Sequence, residues 1–408
     1  MNNKILHILS QRPLLTGSGI TLDAICKHAK SSGWDQRVIV GVPKGDEIYN
    51  IGGIGKENIY PLFFETNALN FCVPGMSDVM PYSSTCFSSL DCKQIEVYLA
   101  EWKKHLHEVS QKFTPAIIHV HHIWLLASIV KDVFPDTPVV NHSHATGFRQ
   151  MELCPHLKDR VIEGCRRNDL FFVLHSNQAK ILEKCLNVPM DRIRIIGAGF
   201  NENVFNLKNR SNEALNNILY IGKYSNAKGL PWLLDAFENL IKKRSDLTLH
   251  IAGEGKGSEA ESLRCRMQML PGKVILHGQL GQDKLAALMK KCSIFVLPSF
   301  YEGLPLVLIE ALACGLRLIC TDLPCIKEEL SPYLGRYLDL IKLPAFETVD
   351  APKKDEIPFF VMEIEKSIRI VLEKGPILKP CEVLDIVEKF TWKTVFNKIE
   401  NYYKEMIK

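Results

Sequence analysis

IFVLPSFYEGLPLVLIEALACGLRLICT, residues 294–321, reads as a buried strand, a short loop, a helix and a second buried strand. Leu306, Val307, Leu308, Ile309, Ala311, Leu312 and Ala313 leave the helix no polar face, which predicts burial on most sides. Glu310 stands in the middle of it. A buried, unpaired carboxylate is destabilised by several kcal/mol or takes up a proton, so Glu310 is expected to have a dedicated partner. Pro305 suits the first helical turn, where its missing N–H is not needed. Glu302 and Gly303 then fall in the loop just ahead. Free amides at the helix start, with a glycine that admits close approach, make an anion site. One carboxylate lies at its mouth and a second lies further inside.

The rest of the composition narrows the class. A length of 408 residues suggests two to three domains. Hydrophobic residues at 46% and charged residues at 24% are ordinary for a soluble globular protein. The longest apolar runs, 294–298 and 304–309, fall far short of the roughly 20 residues of a membrane span. The opening MNNKILHILSQRP reads as a first strand and not a signal peptide, so a cytoplasmic location is expected. The net charge of +4 is spread over both halves, which argues against nucleic acid as a partner. The 13 cysteines include no CxxC pair and read as small core residues in a reducing compartment, with no zinc site.

Along the chain, strands and helices alternate. KILHILS (4–10) is a strand, followed by Gly17-Ser18-Gly19 in a turn and a helix from about Ile20 to Ser32. Strand, glycine turn and helix open a βαβ unit and imply a parallel sheet. Gly17 and Gly19 let backbone N–H groups approach a phosphate, or simply make the turn. Residues 65–91 lack a clear period, as functional irregular segments often do. The helix 91–113 carries Lys103, Lys104, His105 and His107 and reads as a solvated face; contact with an acidic or membrane-linked partner is the alternative. Strands 116–121 and 138–142 both end in histidines: His119, His121 and His122 in the first, His142 and His144 in the second. Ligands of open α/β sheets sit outside the carboxyl ends of the strands, where these imidazoles fall. A metal is conceivable there, but no nearby Asp or Glu completes a set, and none is assigned.

The pattern restarts after the polar stretch 202–216 with strands at 217–221, 247–252, 273–276, 293–297 and 316–320. This predicts a second doubly wound domain. Residues 339–358 read as a charged, loop-like insertion. Lys223 and Lys228 flank the loop after strand 217–221, where each can place an ammonium on a phosphate oxygen. A ribose diol suits Glu310, since acidic residues bind such diols in dinucleotide folds. Glu302 could hold hydroxyls of a second sugar. Reading the two acids as a glycosidase pair leaves the apolar helix and both lysines unexplained.

These residues resemble the family 4 retaining glycosyltransferases of GT-B fold. Glu302-Gly303-Leu304-Pro305 through Glu310, with Ala311-Leu312-Ala313-Cys314-Gly315, is similar to that family's E-x7-E motif. Gly222-Lys223 through Lys228-Gly229 resembles its GR…KG loop, Gly253-Glu254-Gly255 its G-[DE]-G turn, and the segment from Ile196 to Phe205 its NGVD…F segment. Phe390-Thr391-Trp392 resembles its C-terminal signature. The resemblance is specific over about 193–335 and architectural before that.

The resemblance implies two Rossmann-like doubly wound domains facing across a cleft: 1–205 on the acceptor side, 206–388 for the nucleotide sugar, and a helix at 389–408 crossing back. It implies that Glu310 holds the ribose and Glu302 the donor sugar. Gly303 and Leu304 amides take the diphosphate, Lys223 and Lys228 neutralise it, and Gly17 and Gly19 close from the other domain. His144, with His142 as the alternative, lies beside the donor sugar. The implied reaction is metal-free, retaining transfer from a nucleotide-diphosphate sugar, taken as a UDP-sugar, by front-face substitution. The acceptor is a glycan or lipid-linked glycan, as in polysaccharide biosynthesis, or else a small molecule; peripheral contact with the inner membrane face goes with the lipid-linked case. A non-catalytic glycosyltransferase-like binding protein is the competing class. Lys223 stands where the family usually has arginine, and Asn201 replaces an acidic residue.

Overall fold

The computed structural model describes residues 3–77, 80–210, 216–348, 351–375 and 380–408. They form two compact units, Met1–Gly199 with Trp392–Lys408, and Phe200–Thr391.

The first unit holds a seven-stranded, wholly parallel sheet. Its strands are β1 (Lys4–Leu9), β2 (Asp35–Pro43), β3 (Ile59–Phe64), β4 (Ile117–His121), β5 (Val139–His142), β6 (Leu170–Val173) and β7 (Ile193–Ile195). They lie in the order β7-β6-β5-β4-β1-β2-β3. β4, β5 and β6 are buried throughout, as central strands of a sheet covered on both faces should be, although β4 and β5 carry histidines. The helix Trp392–Met406 packs Trp392, Val395, Phe396, Ile399 and Tyr403 against Ile5, Ile25, Trp34, Ile117 and Phe172.

The second unit repeats the scheme with β8 (Asn217–Ile221), β9 (Thr248–Ala252), β10 (Val274–Gly278), β11 (Ile294–Leu297), β12 (Arg317–Thr321) and β13 (Leu338–Ile341). Their order is β10-β9-β8-β11-β12-β13, again all parallel. Both sheets are therefore doubly wound, with the order reversing beside the first strand. That reversal leaves a crevice between β1 and β4 in one unit and between β8 and β11 in the other.

Several local expectations change. The first helix begins at Gly17, not Ile20: Thr16 caps it, and its hydroxyl accepts the Gly19 amide at 3.1 Å. The two glycines thus lie in the first helical turn. The strand β3 and the helices Leu125–Val133 and Pro155–Cys165 were not legible from periodicity. Residues 339–341 are sheet, as the outer strand β13, and 346–352 contain a short antiparallel pair; 349–350 lie outside the described residues. Of the irregular stretch 65–91, Leu69, Phe71, Val73, Met76, Phe87 and Leu90 are core residues, and 78–79 lie outside the described residues. Lys103 on the helix Cys92–Ser110 pairs with Asp132 at 2.9 Å, and His105 faces the Tyr60 carbonyl at 3.1 Å, so part of that polar face serves the fold. No helix among the described residues is long and apolar enough to cross a membrane.

Candidate active site

In the second unit the loops at the carboxyl ends of β8 and β11 meet at the switch point. The loop after β8 ends in a short 3-10 turn, Asn226–Lys228, and then Gly229. Gly229 has φ +69°, and a Cβ there would overlap the Pro298 carbonyl oxygen. Only glycine permits that approach. The loops are then stitched by the Phe300 amide donating to the Ala227 carbonyl at 2.9 Å. Gly253, after β9, has φ +134° and crosses the Gly222 carbonyl in the same way.

This stitching brings Lys228 to Glu302. Their Nζ and Oε1 lie 2.8 Å apart, and Nζ also donates to the Tyr301 carbonyl at 3.3 Å. The sequence assigned the two residues separate ligand groups; in the structure each is the other's partner. Lys223 is exposed, and its ammonium has no partner among the described residues. Cys325 approaches the Glu302 carbonyl at 3.6 Å and so supports the loop from below.

The helix Leu306–Ala313 starts one residue later than expected, with Pro305 as its cap. It is not buried all round. Leu308, Ile309, Ala311, Leu312 and Ala313 are buried, whereas Leu306, Val307 and Glu310 share a half-open face at helical spacing. Among the described residues no group pairs with the Glu310 carboxylate. Burial raises its pKa to about 7. The amides of Gly303 and Leu304 likewise donate to no group among the described residues. The Lys228–Glu302 pair and the two amides thus lie in the loops just ahead of the helix that carries Glu310 on its half-open face.

In the first unit, β4 and β5 carry the histidines. His119 and His121 point to one face because they are two apart on a strand. His7 on β1 is the register partner of His119, and His142 on β5 that of His121. All four are buried. His144 lies past the end of β5 and is half-buried. It stacks on His142 with ring centroids 4.5 Å apart, and its Nε2 is 3.0 Å from Nδ1 of His121. Burial lowers the pKa of His144 to about 3, so it is neutral. His122 and Ala145 both have φ +68° without being glycine. Strain of this kind collects at functional sites. Gly17 is exposed, whereas Gly19 is buried against the backbone of Pro13 and Leu14.

Two triads, His7-His119-His121 and His121-His142-His144, bring one nitrogen each within 4.8 Å. Neither includes a carboxylate. His119 and His121 stack 7° from parallel, so their in-plane lone pairs run side by side and converge poorly on one ion. The pairing of His121 with His144 was missed at the sequence level. The spacing HVHH places His119 and His121 on one face of a strand, but the register of β4 with β5 is needed to see what they touch.

Comparison with known proteins fits this geometry. Residues 202–338 match the family model described as Glycosyl transferases group 1. A glycosyltransferase of Methanocaldococcus jannaschii is 23% identical over 232 residues, which cover 53% of this chain and 55% of the relative. The chain spans about half the length of the curated relatives it matches. By fold, sucrose-phosphate synthase from Thermosynechococcus elongatus superposes with a TM-score of 0.68 at 16% identity, covering 99% of both chains. The Anabaena protein HepE, solved with UDP and glucose, gives 0.63 at 14% identity, covering 98% of this chain and 99% of that one. The architecture is GT-B, with two Rossmann-like units, and the group 1 match falls on the second of them.

Proposed function

We propose that the chain is a retaining glycosyltransferase that moves a sugar from a UDP-sugar to a hydroxyl of a glycan or lipid-linked glycan. The observation that carries this reading is Glu310: a desolvated carboxylate with no partner among the described residues, on the half-open face of the helix Leu306–Ala313. An ionised carboxylate at such a place is satisfied by two hydroxyls of a ribose. The Gly303 and Leu304 amides and the helix N-terminus then receive the diphosphate. Lys228 turns from Glu302 to phosphate, which frees Glu302 for sugar hydroxyls. Lys223 adds to the same anion binding, as does the exposed Gly17, whereas the expected part of Gly19 is withdrawn because its amide already donates to the Thr16 hydroxyl.

The chemistry is a front-face substitution. The bond from the sugar's anomeric carbon to the phosphate oxygen breaks, and a bond to the acceptor oxygen forms on the same face. The acceptor proton passes to the departing diphosphate. His144, neutral, is the hydrogen-bond donor to the donor sugar. Positive charge comes from lysines and the helix N-terminus, without a metal. The UDP bound by HepE supports the choice of nucleotide.

Incubation with a panel of nucleotide sugars in EDTA tests the reading. Slow hydrolysis or transfer from a UDP-sugar is expected to persist in chelator. No turnover and no nucleotide binding would leave only a binding-protein fold. Turnover abolished by EDTA and restored by a divalent ion would overturn the metal-free mechanism.

Lys228→Ala is expected to raise the donor KM about ten- to a hundredfold, since one charge-assisted hydrogen bond contributes about 1.5–3 kcal/mol. Its turnover at saturation should change far less. An unchanged KM would show that Lys228 serves only to hold Glu302.

A further inference from the structure

His144 is not held by its own loop alone. Its ring lies between His142, at 4.5 Å, His121, at 5.2 Å, and His122, at 4.8 Å between centroids. One hydrogen bond ties it to the sheet, between His121 Nδ1 and His144 Nε2 at 3.0 Å. Burial pushes the pKa of His121 far below its ordinary value, and that of His144 to about 3. Each ring is therefore neutral, with one N–H, and one proton lies in the bond between them.

Heavy-atom positions allow either ring to donate. The other nitrogen of His121 decides between them. Nε2 is buried and has no hydrogen-bond partner among the described residues. If His144 donated, the proton of His121 would sit on that Nε2, as a buried N–H without an acceptor. If His121 donates, the unpaired atom is only a bare lone pair. Orphaned buried N–H groups are the rarer and costlier of the two. His7, two strand positions away, behaves this way where the direction is fixed. The Gln36 amide nitrogen donates to the Cys26 carbonyl at 3.1 Å, so its oxygen faces His7 Nε2 at 2.9 Å and accepts. The unpartnered atom of His7 is then its bare Nδ1.

We infer that His121 is a positioning residue: its Nδ1–H donates to Nε2 of His144, which leaves His144 with its own proton on Nδ1 as a hydrogen-bond donor for a ligand. The tautomer is set from within the sheet, because β4 holds His121 and the ring of His142 stacks against His144. The inference rests on the reading of His144 as donor to the transferred sugar, but the tautomer itself can be measured without turnover.

Two measurements on the full-length chain decide it. The first is a long-range 1H–15N correlation spectrum of histidine-labelled protein, with the His144 signals located by their loss in His144→Gln. A protonated Nδ1 and bare Nε2 are expected; the reverse overturns the inference whether or not the enzyme assay works. The second compares His121→Leu with His121→Asn, whose side-chain amide reproduces an Nδ1 donor. Loss of orientation at a reacting group is expected to lower kcat about ten- to a hundredfold in His121→Leu, with donor KM within about twofold. His121→Asn should recover most of it. If His144→Ala is inactive while His121→Leu turns over normally, His121 does not position it. If His144→Ala itself turns over normally, the sugar-donor role fails, and the spectrum alone judges the tautomer.

Discussion

Glu310→Gln is expected to weaken UDP binding about ten- to a hundredfold while making the ligand-free protein more stable above pH 7. The two effects have one cause. Burial raises the carboxyl pKa from 4.5 to about 7. A group whose folded pKa is raised is favoured by folding in its protonated form. Its contribution is full below about pH 4.5 and is lost as pH climbs through 7. At pH 8 the charged side chain therefore destabilises the empty fold by up to about 3 kcal/mol. Gln keeps the shape and removes the charge, so its thermal midpoint should rise by several degrees at pH 8 and by little at pH 5. The ribose pair needs the ionised form, so wild-type affinity should fall as pH drops below 7, by up to about tenfold per unit. The ratio of wild-type to Gln affinity, taken by calorimetry at each pH, cancels the titration of the diphosphate itself. A ratio flat from pH 6 to 8, with no gain in midpoint, would remove Glu310 from the nucleotide site.

His144→Ala is expected to lower turnover about a hundred- to a thousandfold, the usual effect of deleting one preorganised donor to a transition state. UDP affinity should stay within about twofold, because none of the proposed nucleotide contacts, chiefly Glu310, Lys228, Lys223 and the Gly303 and Leu304 amides, involves His144. His142→Ala should behave differently. His142 is fully buried within β5 and stacked on three other imidazoles, so its removal leaves a cavity. The expected result is a lower thermal midpoint, with loss of stability on the order of 2 kcal/mol. If His142→Ala alone abolished turnover in folded protein, the site histidine would be two positions earlier than assigned.

Much of this was legible in the chain because it depends on short-range pattern. Apolar runs punctuated by Gly and Pro located β8, β9, β11 and β12, and the alternation with helices implied parallel sheets. The stretch 294–321 exposed its own anomaly, a carboxylate in an apolar helix. The local pattern failed where neighbours override it. Strand β13, Leu-Asp-Leu-Ile, is short and runs into the charged stretch that follows it, so most of it reads as loop, yet it pairs with β12 along four residues. The first helix absorbs its two glycines because Thr16 caps it.

By itself the sequence determined the kind of element on which most candidate residues sit, Gly17 and Gly19 excepted. Spacing along one chain fixes which residues share a face of a strand, as for His119 and His121, but it did not show that Leu306, Val307 and Glu310 form an open face. Only the tertiary structure decided what those faces meet. The Lys228–Glu302 pair exists because Gly229 lets one loop lie on the Pro298 carbonyl at the end of β11. The His121–His144 bond exists because β4 and β5 pair with His121 opposite His142. Register and loop contact are set by packing between residues far apart in the chain, a free-energy balance that no local spacing encodes.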